Sequence, residues 1–64
     1  MMMTFYEALV KALVDGILTD DREEAIYLAQ VAQGCVLFLS DEDAKKAFQE
    51  ALNQVEEIMK CSTH

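Results

Sequence analysis

The residues that could support chemistry are two runs of carboxylates, "DDREE" at positions 20–24 and "DED" at positions 41–43. Paired carboxylates serve as general acid and base where a pocket raises the pKa of one of them. Alternating aspartates also supply calcium ligands, in loops of the pattern D-x-D-x-D-G with a distal glutamate. The second run continues from Asp43 into Ala44 without the rest of that pattern. Neither run therefore predicts a metal or catalytic site.

A helix N-terminus explains both runs more simply. Acidic residues in the first turn of a helix complement the positive end of its dipole, and such a turn is solvated rather than enclosed in a pocket. Carboxylates displayed in this way can also recognise a basic surface on another protein. The predicted partner-binding residues are therefore Asp20, Asp21, Glu23, Glu24, Asp41, Glu42 and Asp43.

The other reactive side chains are few. Cys35 lies inside an apolar run, where it acts as a small hydrophobe, and Cys61 lies near the C-terminus with His64, the single histidine. One histidine and two cysteines do not make a four-ligand zinc site. The single histidine is the last residue of the sequence, where it is not positioned as a base for a serine or threonine. We therefore expect a non-enzymatic protein without metal or cofactor, with its two thiols reduced as in the cytoplasm.

The balance of charge restricts the partners. The 64 residues carry 12 acidic and 5 basic side chains, which gives a formal net charge of −7. Phosphate binding requires clustered Lys and Arg, so neither direct nucleic-acid binding nor binding to an anionic membrane is expected. The N-terminal stretch lacks the basic region of a signal peptide, and no stretch reaches the roughly 18 apolar residues of a membrane helix. We expect a cytoplasmic protein.

Capping residues divide the chain, because proline is absent and only 2 glycines occur. Thr4 is followed by Glu7 at the spacing of a capping box, in which the hydroxyl accepts the Glu7 amide and the carboxylate accepts the Thr4 amide. Thr19 or Asp20 can cap a second helix. Ser40 can cap a third, directly after the apolar run.

These caps predict an all-α fold with helices over about 4–18, 21–39 and 41–60, and a disordered tail over 61–64. The third helix has the clearest helical period, with apolar residues at Ala44, Ala47, Phe48, Ala51, Leu52, Val55, Ile58 and Met59. The segment "GCVLFL", from Gly34 to Leu39, either continues the second helix or forms a separate segment such as a short buried strand. A helix is favoured, because a lone strand would leave its backbone groups unpaired.

The apolar side chains exceed what one small helical unit can bury. Hydrophobic residues make up 53% of the chain, and a domain of this size buries only about 60% of the surface that its unfolded chain exposes. The expected solvent stripe of helix 1 is Glu7, Lys11 and Asp15, and its expected buried residues are Leu9, Leu13 and Ile17. Helix 2 carries two apolar faces, so it needs covering on two sides. We therefore predict a homo-oligomeric helical bundle with an interface that includes Leu9, Leu13, Tyr27, Val31, Gly34 and Phe38.

The sequence predicts function only at the level of class. A short acidic helical chain of this kind resembles small accessory proteins of phages and mobile elements, and the likeness is one of composition. The leading hypothesis is a homo-oligomeric inhibitor or regulator that binds a basic site on a partner protein, for example by charge mimicry against a nucleic-acid-handling enzyme. The alternative is an oligomer that sequesters a small molecule between its subunits.

Overall fold

The computed structural model describes residues 3–62, which fold into three helices joined by short connections. Helix α1 spans Phe5–Leu18, α2 spans Arg22–Val36 and α3 spans Asp41–Ser62. No strand occurs within residues 3–62, so the all-α prediction is confirmed there and the strand interpretation of the apolar run is wrong. Positions 61 and 62, predicted to belong to a disordered tail, are part of α3. The rest of that tail, with His64, lies outside the described residues.

Side-chain hydrogen bonds confirm the predicted caps of α1 and α3. The Thr4 hydroxyl accepts a bond from the Glu7 amide at 3.1 Å and donates one to the Glu7 carboxylate at 3.2 Å. The carboxylate thus pairs with the hydroxyl rather than with the Thr4 amide. At α3, Ser40 Oγ accepts a bond from the Asp43 amide at 3.1 Å. Each cap satisfies an amide that the first turn of a helix otherwise leaves unpaired.

The cap of α2 lies one residue beyond the predicted positions, at Asp21 rather than at Thr19 or Asp20. Its Oδ1 accepts bonds from the amides of Glu23 at 2.9 Å and Glu24 at 3.4 Å. Thr19 cannot start α2, because its own amide still bonds to the last turn of α1. The Thr19 hydroxyl instead accepts the Asp21 amide at 3.2 Å, which ties the end of α1 to the capping residue of α2.

Helix α2 ends at Val36, three residues before the predicted end at 39. Gly34 lies inside the helix and does not interrupt it. The amides of residues 38 and 39 then bond to the carbonyls three residues earlier, each at 3.1 Å. Such steps are tighter than the four-residue steps of an α-helix, and they turn the chain so that Ser40 can cap α3. The apolar run therefore comprises the last turn of α2 and the corner after it.

Helix α1 is the centre of the fold. It packs against both α2 and α3, whereas α2 and α3 contact each other only marginally. The core consists of Leu9, Val10, Ala12, Val14, Ala32, Cys35, Ala47, Ala51 and Val55. Helix α3 contributes mainly alanines to this core, and short side chains at a contact let two helices approach closely. The larger apolar side chains of α3 consequently lie away from the core.

Candidate protein-interaction surface

Large apolar side chains remain exposed on every helix. Twelve of them are exposed within residues 3–62. Of the helix 1 residues expected to be buried, Leu9 is fully buried, which confirms the expectation, and Leu13 is half-buried. Ile17 is 52% exposed, so the expectation for this residue is wrong. Ile17 lies at a cleft between α1 and α2, to which α2 contributes Ala25, Leu28, Ala29 and Ala32.

An apolar groove of about 580 Å³ lies between α2 and α3. It forms because these two helices barely contact each other, so that Leu13 of α1 is left as the floor. The residues that line the groove are Leu13, Ala29, Ala32, Gln33, Val36, Leu37 and Phe48. None of these lining residues is charged. This α2–α3 groove is therefore an uncharged surface on a chain of net charge −7.

Helix α3 presents a row of large apolar side chains beside the groove. Phe48, Leu52 and Met59 lie on one face, because their separations are close to whole turns of a helix, and all three are exposed. We call these three residues the α3 ridge. Phe48 also lines the α2–α3 groove, so the two surfaces are continuous. The sequence pattern does not separate the ridge from the neighbouring buried row, which is Ala44, Ala47, Ala51 and Val55.

The α1 part of the oligomer interface predicted from the sequence lies largely inside the chain. Leu9 is fully buried, so it offers no surface to a second copy. Leu13 is half-buried at the floor of the α2–α3 groove. It can touch a second copy only if that copy enters the groove.

The α2 part of the predicted interface is only partly at the surface. Tyr27 and Phe38 are exposed, at 64% and 69%, while Val31 and Gly34 are half-buried. The ring of Phe38 stacks on the ring of Phe5, with centroids 4.6 Å apart and an interplanar angle of 10°. Phe38 therefore already has an aromatic partner within its own chain, and it joins the corner after α2 to the start of α1.

The two acidic clusters lie at opposite ends of α2. All seven carboxylates predicted to bind a partner are exposed, but a helix of 15 residues separates the clusters by about 20 Å. The structure therefore does not bring them together into one site. At the start of α2 four carboxylates accompany Arg22, whereas at the start of α3 three carboxylates precede Lys45 and Lys46. The α2 cluster (Asp20, Asp21, Glu23 and Glu24) is the more acidic of the two.

The polar stripe of α1 lies at the surface, as its spacing predicts. Glu7 and Lys11 are exposed and Asp15 is half-buried. Lys11 Nζ lies 3.7 Å from Asp15 Oδ2, which reduces the local charge. A solvated pair of this kind contributes little to stability. The stripe also lines an open cleft of about 460 Å³ between α1 and α3.

The described residues offer no obvious metal centre, because no three Asp, Glu, Cys or His side chains within them lie close enough to share an ion. Cys35 is a buried free thiol and Cys61 an exposed one. Neither α1, α2 nor α3 has the length and apolar character that crossing a bilayer requires.

Comparison of the chain with protein-family models, with curated proteins and with solved structures finds no match.

Proposed function

We propose that the chain is a non-enzymatic interaction protein that self-associates and binds a basic site on a partner protein, acting as an inhibitor or regulator. The observation that carries this proposal is the exposure of the acidic side chains. Of the 12 carboxylates in the chain, Asp15 is half-buried and the others are exposed. No charged side chain is buried within the described residues. The acidic character of the chain is therefore available to a partner.

The α2 cluster is the favoured contact for this partner. The Asp21 carboxylate is engaged as the helix cap, which leaves Asp20, Glu23 and Glu24 to face another protein. Closely spaced carboxylates can substitute for the phosphates that a basic groove attracts. An enzyme or regulator that handles nucleic acid is therefore a partner class with the required charge.

Capture at controlled ionic strength tests this proposal. The tagged chain is used to capture proteins at low salt from the cells in which it is native, and mass spectrometry identifies what rising NaCl releases. The screening length falls from about 10 Å at 0.1 M to about 3 Å at 1 M. A partner held by exposed charges is therefore expected to elute early in the gradient.

Two variants that remove equal charge locate the contact. The first is Asp20→Asn/Glu23→Gln/Glu24→Gln, which neutralises the α2 cluster and retains the Asp21 cap. The control is Glu7→Gln/Glu50→Gln/Glu57→Gln, which removes the same charge from positions outside the α2 cluster, the α2–α3 groove and the α3 ridge. We expect the first variant to lose capture and the control to retain it. Equal losses from both, or capture that is indifferent to salt, would contradict the proposal.

Self-association is the second part of the proposal, and the exposed apolar side chains support it. Monomeric proteins rarely expose contiguous apolar patches larger than a few hundred Å², and larger patches mark interaction sites. The α2–α3 groove and the α3 ridge are a continuous apolar surface of this kind, because Phe48 belongs to both. The proposed compartment is the cytoplasm, in keeping with the free thiols of Cys35 and Cys61.

The α2–α3 groove also favours a second candidate function, the sequestration of a small apolar molecule. Its volume of about 580 Å³ falls within the range of roughly 300–1,000 Å³ that is usual for ligand pockets. The groove is open, so a second copy would have to close it. Native mass spectrometry of the chain from its own cells tests this candidate. A constant added mass on an oligomer, retained at high salt, supports sequestration, and an unmodified mass contradicts it.

A further inference from the structure

We propose that a second copy of the chain covers the α2–α3 groove and the α3 ridge, with the two α3 helices packed across a twofold axis near Leu52. The inference rests on the self-association included in the proposed function and assigns it to a face that the sequence did not predict. It is separate from the binding of a basic partner, because no residue of the α2 cluster takes part.

The lack of charged residues in the groove favours this face for contact with a second copy. Each copy carries a net charge of −7, and like charges placed opposite each other oppose association. The lining of the groove contains no charged residue. At the far end of the ridge, the cleft around Met59 is lined by one acidic and one basic residue, Glu56 and Lys60. A second acidic chain can therefore dock here without bringing carboxylates together, whereas a basic partner would find no opposite charge in the groove.

The chain exposes more surface than a compact monomer of its mass. A compact monomer of 7.2 kDa exposes about 4,100 Å², whereas this chain exposes 5144 Å². This excess of roughly 1,000 Å² is spread over the whole chain, and a standard interface takes about 800 Å² from each partner. Helix α3 is the longest of the three, with 22 residues against 14 in α1 and 15 in α2. That longer helix is the one that carries the ridge.

The shapes of the groove and the ridge suit a twofold arrangement. The α2 side of the groove includes the small side chains of Ala29 and Ala32, whereas the ridge projects large ones. Each chain offers both features, and a twofold axis lets the same patch serve both copies. The ridge of one copy then enters the groove of the other. Phe48 belongs to both surfaces, so it contacts the partner's ridge as part of the groove and the partner's groove as part of the ridge. Leu52 lies one turn farther along α3, nearest the axis.

Sedimentation equilibrium with two matched variants tests the inference. Leu52 and Tyr27 are similarly exposed, at 56% and 64%, so glutamate at either position adds the same charge to a similarly solvated site. Leu52→Glu is expected to raise the dimer dissociation constant by about a hundredfold or more, because it places a charge in the contact of each copy. Tyr27→Glu is expected to leave it nearly unchanged. Far-UV circular dichroism shows whether both variants remain helical.

A milder variant keeps the test decisive if Leu52→Glu does not fold. Leu52→Gln is uncharged, and it is expected to raise the dissociation constant by about tenfold or more, because both copies lose an apolar contact. Dissociation by Tyr27→Glu but by neither Leu52 variant would overturn the inference, and would place the interface on the α2 face predicted from the sequence.

Two further results would also overturn the inference. One is a folded wild-type monomer at every concentration measured. The other is a monomer that carries a small molecule in native mass spectrometry, since the groove would then have a different occupant. Neither result affects the salt-dependent capture of a basic partner. Failure of the dimer and failure of the acidic binding surface can therefore be told apart.

Discussion

Asp21 combines two roles, since its carboxylate caps a helix and also adds to the charge of the α2 cluster. Its Oδ1 accepts the amides of Glu23 and Glu24, and its negative charge lies at the positive end of the helix dipole. Asp20 carries the same charge one position earlier and is not the cap. A substitution at Asp21 therefore changes both fold and surface, whereas one at Asp20 changes the surface alone.

This difference gives a prediction for the two aspartates. Asp21→Ala is expected to lower the free energy of unfolding by about 1 kcal/mol, because two amides lose their acceptor. In a domain of this size that corresponds to a fall in Tm of roughly 4–8 °C. Asp20→Ala removes the same charge and is expected to change stability by less than about 0.5 kcal/mol. Thermal unfolding followed by circular dichroism measures both. A larger loss at Asp20 would show that the cap is assigned to the wrong residue.

At the scale of the elements, α3 shows why an apolar stripe does not by itself define a core. Two rows share the stripe: alanines with Val55 form one, and the α3 ridge forms the other. The alanine row packs against α1 because small side chains permit close approach. The larger Phe48 and Leu52 are left at the side, and α2 does not reach across to cover them. The sequence signal for an exposed apolar surface is therefore an apolar stripe that is too wide for one neighbouring helix to cover.

Helix α2 provides a second prediction, at Gly34. The described glycines have no positive φ, and a Cβ added at Gly34 would meet nothing within 4 Å. Glycine inside a helix costs about 1 kcal/mol relative to alanine, so Gly34→Ala is expected to stabilise the chain by about 0.5–1 kcal/mol. Gly16→Ala is a useful comparison, because its Cβ would lie 3.6 Å from Leu28 Cβ, an ordinary contact.

Urea unfolding of the two glycine variants measures this effect, and sedimentation equilibrium shows whether assembly changes. Stabilisation by Gly34→Ala with an unchanged dimer would place Gly34 outside the interface. Destabilisation by this variant would contradict the open surroundings of Gly34 and favour the α2 face as the contact between copies.

The sequence was sufficient for the features that depend on local chemistry. The caps at Thr4 and Ser40 need only residues within a few positions, and exposed carboxylates at helix starts follow from the same patterns. The start of α2 cannot be assigned to one residue from the sequence, because Thr19, Asp20 and Asp21 are all good caps. The sequence left open whether the segment from Gly34 to Leu39 continues α2, and it does not place the end of the helix at Val36 because no proline or glycine follows Gly34 within the apolar run.

The packing of the helices could not be predicted in the same way. The apolar faces of three short helices are compatible with several arrangements. The one observed has α1 at the centre and leaves a groove between α2 and α3, and the exposure of the α3 ridge follows from it. The acidic part of the candidate surface could therefore be predicted from the sequence, whereas its apolar part required the fold.

At the scale of the whole molecule, the acidic and apolar surfaces occupy different places. The α2 cluster lies at the beginning of α2, whereas the groove includes residues of the later half of that helix, such as Val36. A dimer formed through the groove and ridge would therefore leave both α2 clusters exposed. Two linked clusters can bind a partner with two basic sites more tightly than either cluster alone. Self-association would then strengthen the recognition of a basic partner instead of competing with it.

The same distribution of charge predicts that salt stabilises the fold. A net charge far from zero destabilises a compact chain through self-repulsion, and the excess negative charge lies at the surface, where salt can screen it. Between about 0.01 M and 0.15 M ionic strength the screening length falls from about 30 Å to about 8 Å. Calorimetry at fixed protein concentration is therefore expected to show a Tm that rises by a few degrees over this range, since the solvated Lys11–Asp15 pair loses little.

The variant Asp20→Asn/Glu23→Gln/Glu24→Gln separates repulsion from other effects of salt. It lacks three negative charges and keeps the cap at Asp21, so its Tm is expected to rise less than that of the wild type. Any strengthening of apolar burial by salt acts on both proteins alike, so the difference between the two slopes measures the repulsion around the α2 cluster. Equal slopes, or a Tm that falls with salt, would mean that attractive pairs offset the repulsion. The α2 cluster would then carry too little unbalanced charge to attract a basic partner over a distance.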